Sequence, residues 1–229
     1  MKKAAIVTMI LLLAVPALAA KDLTSTTQNL TYSLTRYDGD CTVGNQDPIA
    51  SYYDEFILGY ESYASSFVID APCVCTEGAA VRTVHWVLVL DETSAVNLTP
   101  MIYATVDDGN GCLIPDAVIA TGDAVTISGA PELGAYDIEL PLNDEVCLQP
   151  GQTYMMGFYV EDPGDFVGLP VDDTPTVCQG FNMWDVDWLD MVDYYGAGGD
   201  MLMWVDLDCC FNSVATEPTN WGSLKGLYR

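Results

Sequence analysis

The ten residues VRTVHWVLVL, numbered 81 to 90, decide the fold class. Val81, Thr83, Val84, Val87 and Val89 are β-branched and Trp86 is aromatic. Such side chains restrict the backbone to extended conformations and fill a pleated surface. The run is bounded by Gly78 and Asp91. It therefore reads as a buried, central β-strand.

Working outward, short segments of the same character recur between turn residues. Pro100 to Val106 is closed by Asp107, Asp108, Gly109, Asn110 and Gly111. Ala117 to Thr121, Ala124 to Ile127 and Tyr136 to Leu140 follow, punctuated by Gly129, Pro131 and Gly134. In the last of these, Tyr136, Ile138 and Leu140 alternate with Asp137 and Glu139, which predicts a half-buried strand with its acids in water. Thr153 to Val160 starts after a Pro150-Gly151 turn, and Asp200 to Asp208 carries Leu202 and Trp204 beside Asp206 and Asp208. Many short strands at this spacing predict an all-β fold, an antiparallel β-sandwich of jelly-roll-like type.

Phe181 to Tyr195 carries two periods at once. Phe181, Trp184, Trp188, Met191 and Tyr195 fall at helical spacing. Trp184, Val186 and Trp188 also alternate with Asp185 and Asp187, and Gly196, Gly198 and Gly199 follow. Strand, loop, strand is the preferred reading, with an amphipathic helix as its rival.

Lys2 and Lys3 precede an apolar run from Ala4 to Leu18 that ends on the small residues Ala17, Ala19 and Ala20. This is the pattern of a cleavable secretory signal over residues 1–19, shorter than the roughly 20 apolar residues of a membrane span. Its removal would leave 210 residues of the 229, with five of the seven cationic side chains and all 33 acids, a formal charge of −28. A surface of that sign repels nucleic acid and anionic lipid. The expected location is secreted, extracellular or at the cell surface, with the periplasm as a further option. All eight cysteines, Cys41, Cys73, Cys75, Cys112, Cys147, Cys178, Cys209 and Cys210, lie beyond the leader. In an oxidising compartment they should form four disulfides, although about a hundred pairings are open. Cys73 and Cys75 stand at strand spacing and the neighbours Cys209 and Cys210 would point to opposite faces, so each of these four should have a distant partner.

The stretch from Ser66 to Asp208 resembles the β-sandwich modules of secreted and surface proteins of bacteria. The phrases that carry the likeness are SSFVIDAPCVC (65–75), IYATVDDGNGCLIPDAVIATG (102–122), YDIELPLNDEVCLQPGQTYMMGFYV (136–160) and a late strand pair around Trp188 ending in MLMWVDLD (201–208). The resemblance implies a displayed or secreted jelly-roll-like domain, with residues 20–65 packing on a sandwich of residues 66–212. The closing WGSLKGLYR (221–229) is similar to a short tail of some exported bacterial proteins, and residues 213–229 read as linker and tail.

No catalytic constellation emerges. His85 is the only histidine and lies among Val84, Trp86 and Val87, so it reads as a core or sheet-face residue and not as a base for a nucleophile. The 33 acids supply so many pairs that none singles itself out as a glycosidase couple, which leaves a secreted carbohydrate-active hydrolase as the alternative function. Two binding readings remain for a non-catalytic surface or structural module. Trp184, Trp188, Tyr194 and Tyr195, beside Asp185 and Asp187, have the composition of a glycan-binding face, where rings stack on sugars and carboxylates take hydroxyl hydrogen bonds. Asp38, Asp40 and Asp47, and separately Asp107 and Asp108, are candidate calcium ligands, calcium being the one cofactor the composition suggests.

Overall fold

In the computed structural model the residues described are 25–27, 30–33, 40–54, 56–69, 73, 75–164 and 166–210. The leader, the C-terminal tail and Asp38 lie outside them. Fifteen strands and no helix are present among the described residues. They are β1 (Ser25–Thr26), β2 (Cys41–Gly44), β3 (Ser51–Tyr53), β4 (Glu61–Val68), β5 (Ala79–Leu90), β6 (Ser94–Asp107), β7 (Leu113–Thr121) and β8 (Val125–Ser128). The chain continues through β9 (Gly134–Pro141), β10 (Cys147–Leu148), β11 (Thr153–Gly164), β12 (Leu169–Val171), β13 (Gly180–Trp184), β14 (Asp187–Asp190) and β15 (Met203–Cys209).

These strands form two stacked antiparallel sheets and a small third one. The five-stranded sheet runs β2–β15–β5, with β9 and β10 end to end along the far side of β5. The seven-stranded sheet runs β14–β13–β4–β11–β6, with β7 and β8 sharing the last edge. β1, β3 and β12 make the three-stranded sheet. The run 81–90 is the central strand that its composition predicts. One face of β5 supplies Val84, Trp86 and Leu88 to the core, opposite Tyr63 and Phe67 of β4 and Met156 and Phe158 of β11. The Trp86 ring lies 5.1 Å from that of Tyr63 and 5.4 Å from that of Phe158.

The segment from 40 to 65 contributes β2 to the five-stranded sheet and begins β4 of the seven-stranded one. Pro100, expected to open a strand, sits inside β6, because β8 pairs with β6 only up to Leu98 and β7 only from Met101. At that junction no neighbour needs the missing N–H, while the Pro100 carbonyl accepts Gly122 N–H at 3.0 Å. Phe181 to Tyr195 contains the hairpin β13–β14, so the period of two prevails over the helical one. Its two-residue turn is Asp185–Val186, with Asp185 at φ 85°.

The four disulfides are Cys41–Cys73, Cys75–Cys209, Cys147–Cys210 and Cys112–Cys178. Cys209 and Cys210 do go to distant partners, and so do Cys73 and Cys75, but the last two occupy the connection from β4 to β5 and not a strand. Three bridges gather where β5 begins and β15 ends. Gly78 belongs to this cluster: at φ 117°, a Cβ there would stand 2.9 Å from the Cys147 sulfur. The fourth bridge curls the seven-stranded sheet. From β6 to β13 is three strand spacings, about 14 Å, yet the Cα atoms of Cys112 and Cys178 are 5.2 Å apart. The loop after β6 therefore bends over the outer face, where Ala64, Tyr103, Met155 and Phe181 form a second apolar cluster.

Peptide mapping without reduction should recover these four pairs. Replacing Cys112 and Cys178 together by serine should lower the unfolding free energy by about 4 kcal/mol, the loop entropy of 66 residues. Denaturant titration measures this, and a stability within 1 kcal/mol of the parent would show that the strap does not brace the fold.

Candidate functional site

Arg82 and His85 are the only cationic side chains among the described residues. Both lie on β5. Arg82 pairs with Glu145 and Asp208 at the surface. His85 is buried on the face of the five-stranded sheet that points away from the core, its side chain 1% exposed. Its Nδ1 is 3.0 Å from Asp137 Oδ1 and its Nε2 is 2.9 Å from Asp206 Oδ2. Thr42 donates to the second oxygen of Asp206 at 2.6 Å. A polar row thus crosses four strands, from Thr42 on β2 through Asp206 on β15 and His85 on β5 to Asp137 on β9.

This row corrects the reading of β9. Glu139 is exposed as expected, whereas the Asp137 side chain is 3% exposed, because the histidine across the ladder takes it as a partner. Desolvation pulls the pKa of His85 down, but the bonds and charges of Asp137 and Asp206 outweigh it and lift the value to about 9. The ring is then an imidazolium at neutral pH. It stacks on Trp204 at 4.9 Å, and Tyr32 stacks on Trp204 in turn at 6.0 Å. With a carboxylate on each nitrogen, His85 has no free lone pair with which to act as a base. Because its folded pKa is raised from 6.5 to about 9, its stabilisation is complete below pH 6.5 and declines as pH rises to about 9. Unfolding curves should show this alkaline loss, and His85→Gln should cost about 3–5 kcal/mol at pH 6 by stranding two buried carboxylates. A pH-independent parent, or a neutral substitution, would contradict the clamp.

The second constellation stands at the end of the seven-stranded sheet where β4 begins. Gly59 and Tyr60 both have left-handed backbones, φ 86° and 55°. For tyrosine that conformation costs of order 1–3 kcal/mol and needs support. Support comes from Glu61, a carboxylate 1% exposed, which accepts Leu58 N–H at 2.6 Å and Gly59 N–H at 3.3 Å. Its other oxygen accepts Asn182 Nδ2 at 2.9 Å, and Asn182 Oδ1 accepts the Tyr195 hydroxyl at 2.9 Å. Burial first, and then the charge of Glu61, hold the Tyr195 phenol above its ordinary pKa, which keeps it a donor. The Tyr195 ring meets Phe56 edge-on at 5.3 Å and Tyr194 at 4.9 Å. This buried relay displays three large groups to solvent: Tyr60 at 73% exposure, Tyr194 at 64% and Leu58 at 46%.

The hairpin completes that end. Trp184 pairs with Asp187, and alternation puts both on the face of Asn182. Trp184 is half-buried, while Asp185, Val186 and Asp187 are exposed. Of the six residues singled out from sequence, Trp184, Asp185, Asp187, Tyr194 and Tyr195 therefore share one end of the sheet. Trp188 pairs with Met183 on the opposite face and lies edge-on to Tyr103 at 5.4 Å. Sequence reasoning missed Leu58, Tyr60 and Glu61. The turn signal Gly59 before an aromatic was visible, but nothing local marks Glu61 as buried.

Three of the candidate calcium ligands, Asp40, Asp107 and Asp108, bond backbone N–H groups. Asp40 Oδ2 accepts Cys209 N–H at 2.8 Å, Asp107 Oδ1 accepts Gly109 N–H at 2.6 Å, and Asp108 Oδ1 accepts the N–H groups of Asn110 and Cys112. The Asn110 bond first, then that of Cys112, lowers the pKa of Asp108. Asp47 is exposed, and its carbonyl accepts the Tyr32 hydroxyl at 3.2 Å. Among the described residues no three His, Cys, Asp or Glu side chains come together as a metal site.

Fold and site define a disulfide-braced antiparallel β-sandwich with an aromatic, acid-rimmed end. The chain belongs to the family described as a domain of unknown function, DUF7451, whose model matches residues 65–206. No curated protein matches it significantly. Among solved structures it is similar to the cysteine protease and lectin-like domains of Cwp84, a surface layer associated protein of Clostridium difficile. That likeness has 11% identity and a TM-score of 0.55, covering 78% of this chain and 38% of that one. A clostridial Cwp84 variant after propeptide cleavage gives 11% identity and a TM-score of 0.54, covering 78% and 42%. The chain thus spans about two fifths of these structures, and at such identity the likeness is one of fold.

Proposed function

We propose that this protein is an exported, non-catalytic module that binds carbohydrate at a cell surface through the end bearing Tyr60, Trp184 and Tyr194. The observation that carries the reading is the strained Gly59–Tyr60 turn, pinned by the buried Glu61 so that two tyrosines stand largely in water. Exposed aromatic side chains gathered at one end and rimmed by carboxylates are the composition that marks an interaction surface. Sugars offer apolar C–H faces for stacking and hydroxyls for the neighbouring carboxylates of Asp185, Asp187 and Asp193. Glu61 fixes the backbone beneath Tyr60, and Tyr194 rests edge-on against Tyr195, which lowers the ordering cost of binding at these two residues. Four disulfides favour an oxidising compartment, in keeping with the leader pattern at residues 1–19. The lectin-like domains named for Cwp84 supply a precedent by fold alone.

A glycan array on the purified protein, followed by calorimetry with the best oligosaccharide, tests the proposal. Tyr60→Ala, Trp184→Ala and Tyr194→Ala should each weaken binding about five-fold, the loss of roughly 1 kcal/mol of ring contact. Incubation with the bound glycan should release no new reducing ends. Release of such ends, or no array signal at all, would end the reading.

A further inference from the structure

The exposed rings at the start of β4 stand between two neighbouring strands, and both neighbours bring acids. Val160 of β11 pairs with Glu61 on one side. On the other side Met183 of β13 pairs with Ser62, which sets Trp184 beside Glu61. Tyr60 comes one residue before Glu61, so Glu161 follows on the β11 side and Asp185 on the β13 side, with neighbouring strands about 5 Å apart. Gly59 keeps the same company: a Cβ there would stand 3.3 Å from the Glu161 carbonyl and 2.7 Å from Cδ of Pro163.

Exposed carboxylates from three segments surround the rings. Glu161 and Asp162 follow the last β4–β11 pair, Asp185 and Asp187 belong to the hairpin, and Asp193 adjoins Tyr194. The first two are held in place: Glu161 Oε2 accepts Asn97 Nδ2 at 2.6 Å, and Asp162 Oδ1 accepts Gly164 N–H at 3.1 Å. Beneath them Glu61 takes hydrogen bonds from Leu58, Gly59 and Asn182, all neutral donors.

Among the described residues no cation balances this field. Arg82 and His85 both belong to β5 in the other sheet, and both are already bound to carboxylates there. An ionised carboxylate only accepts hydrogen bonds, so none of the five acids around the rings has a proton to offer an incoming anion.

We infer that the aromatic end selects neutral glycans and rejects acidic ones, those that carry uronate, sialate, sulfate or phosphate groups. The inference rests on the carbohydrate reading and adds to it the class of sugar. A neutral sugar lays its C–H face on Tyr60, Trp184 or Tyr194 and brings no charge into the field. An acidic sugar on Tyr60 meets Glu161 and Asp185 on either side, and like charges set against each other at an interface suppress the wrong partner. The discrimination comes from this repulsive element and needs no contact beyond those the rings already make.

A glycan array that sets neutral oligosaccharides beside their acidic counterparts, mannan beside mannuronate and lactose beside sialyllactose, tests it on the full chain, followed by calorimetry on the best matched pair. At about 20 mM sodium chloride the acidic member should bind at least about ten-fold more weakly than the neutral one. At about 500 mM, where screening is strong, that gap should shrink to about three-fold while the neutral affinity stays level. Glu161→Gln with Asp162→Asn, each keeping an oxygen that accepts, should narrow the low-salt gap about three-fold and leave neutral binding unchanged. Asp116→Asn removes an exposed charge on β7, about 20 Å away by strand length, and should leave the gap as it is. An acidic member that binds as tightly as the neutral one at low salt, or a gap that Asp116→Asn narrows as much as the paired substitution does, would overturn the inference and leave the carbohydrate reading standing. Binding of neither member of any pair would remove the carbohydrate reading itself, and the inference with it.

Discussion

One buried cation holds together a sheet made from an acidic chain. With 33 acids against seven lysines and arginines, the chain works against its own compaction. At the centre of the five-stranded sheet that problem is solved locally, because His85 carries its proton and two carboxylates close on it. The row from Thr42 to Asp137 ties β2, β15, β5 and β9 laterally, in addition to their backbone ladders. Trp204 covers the ring from one side of the ladder and Tyr32 covers Trp204, so the charge is kept dry. On the other face of the same strands, Trp86 and its neighbours form the core between the sheets. β5 therefore serves two layers, an apolar one inward and a polar one outward.

The ends of the sandwich have different work. β4 carries Glu61 at one end and leads at the other toward Cys73 and Cys75, about 25 Å away by strand length. Three disulfides fasten the cysteine end. The Glu61 end has no disulfide and is held by hydrogen bonds and the packing of Phe56 against Tyr63 and Tyr195, and it is there that tyrosines reach solvent. Crosslinking at one end allows a strained, ring-bearing turn at the other without loss of the fold. The strap from Cys112 to Cys178 curls the seven-stranded sheet between them, and the hairpin β13–β14 is fixed at its margin.

Much of the architecture was legible in particular residues. VRTVHWVLVL announced the central strand because composition and boundaries agreed, and the glycines after Tyr195 together with the Asp185–Val186 turn make Phe181 to Asp190 strand, loop, strand, with the turn falling inside the alternation of Trp184, Val186 and Trp188. Distant partners for Cys209 and Cys210 followed from adjacency. Other features depend on contacts far apart in the chain. Asp137 looked like a solvated residue of an alternating strand, since the histidine that buries it is 52 positions away. Glu61 sits 121 positions from Asn182. No local pattern encodes such meetings. The glycan-like composition around Trp184 was visible, but the division that sends Trp188 to the other face follows from hairpin register and could not be read from composition.

The protonation state of His85 tests this account most directly, because the lateral tie exists only if the ring is an imidazolium. Nitrogen-resolved NMR of the labelled imidazole across pH 5 to 10 reads it at the atom concerned. The account predicts that both ring nitrogens carry slowly exchanging protons at neutral pH, and that they titrate together near a pKa of about 9. A ring that titrates near 6.5, or holds one proton at pH 7.5, would mean that the sheet is held by its ladders and disulfides alone.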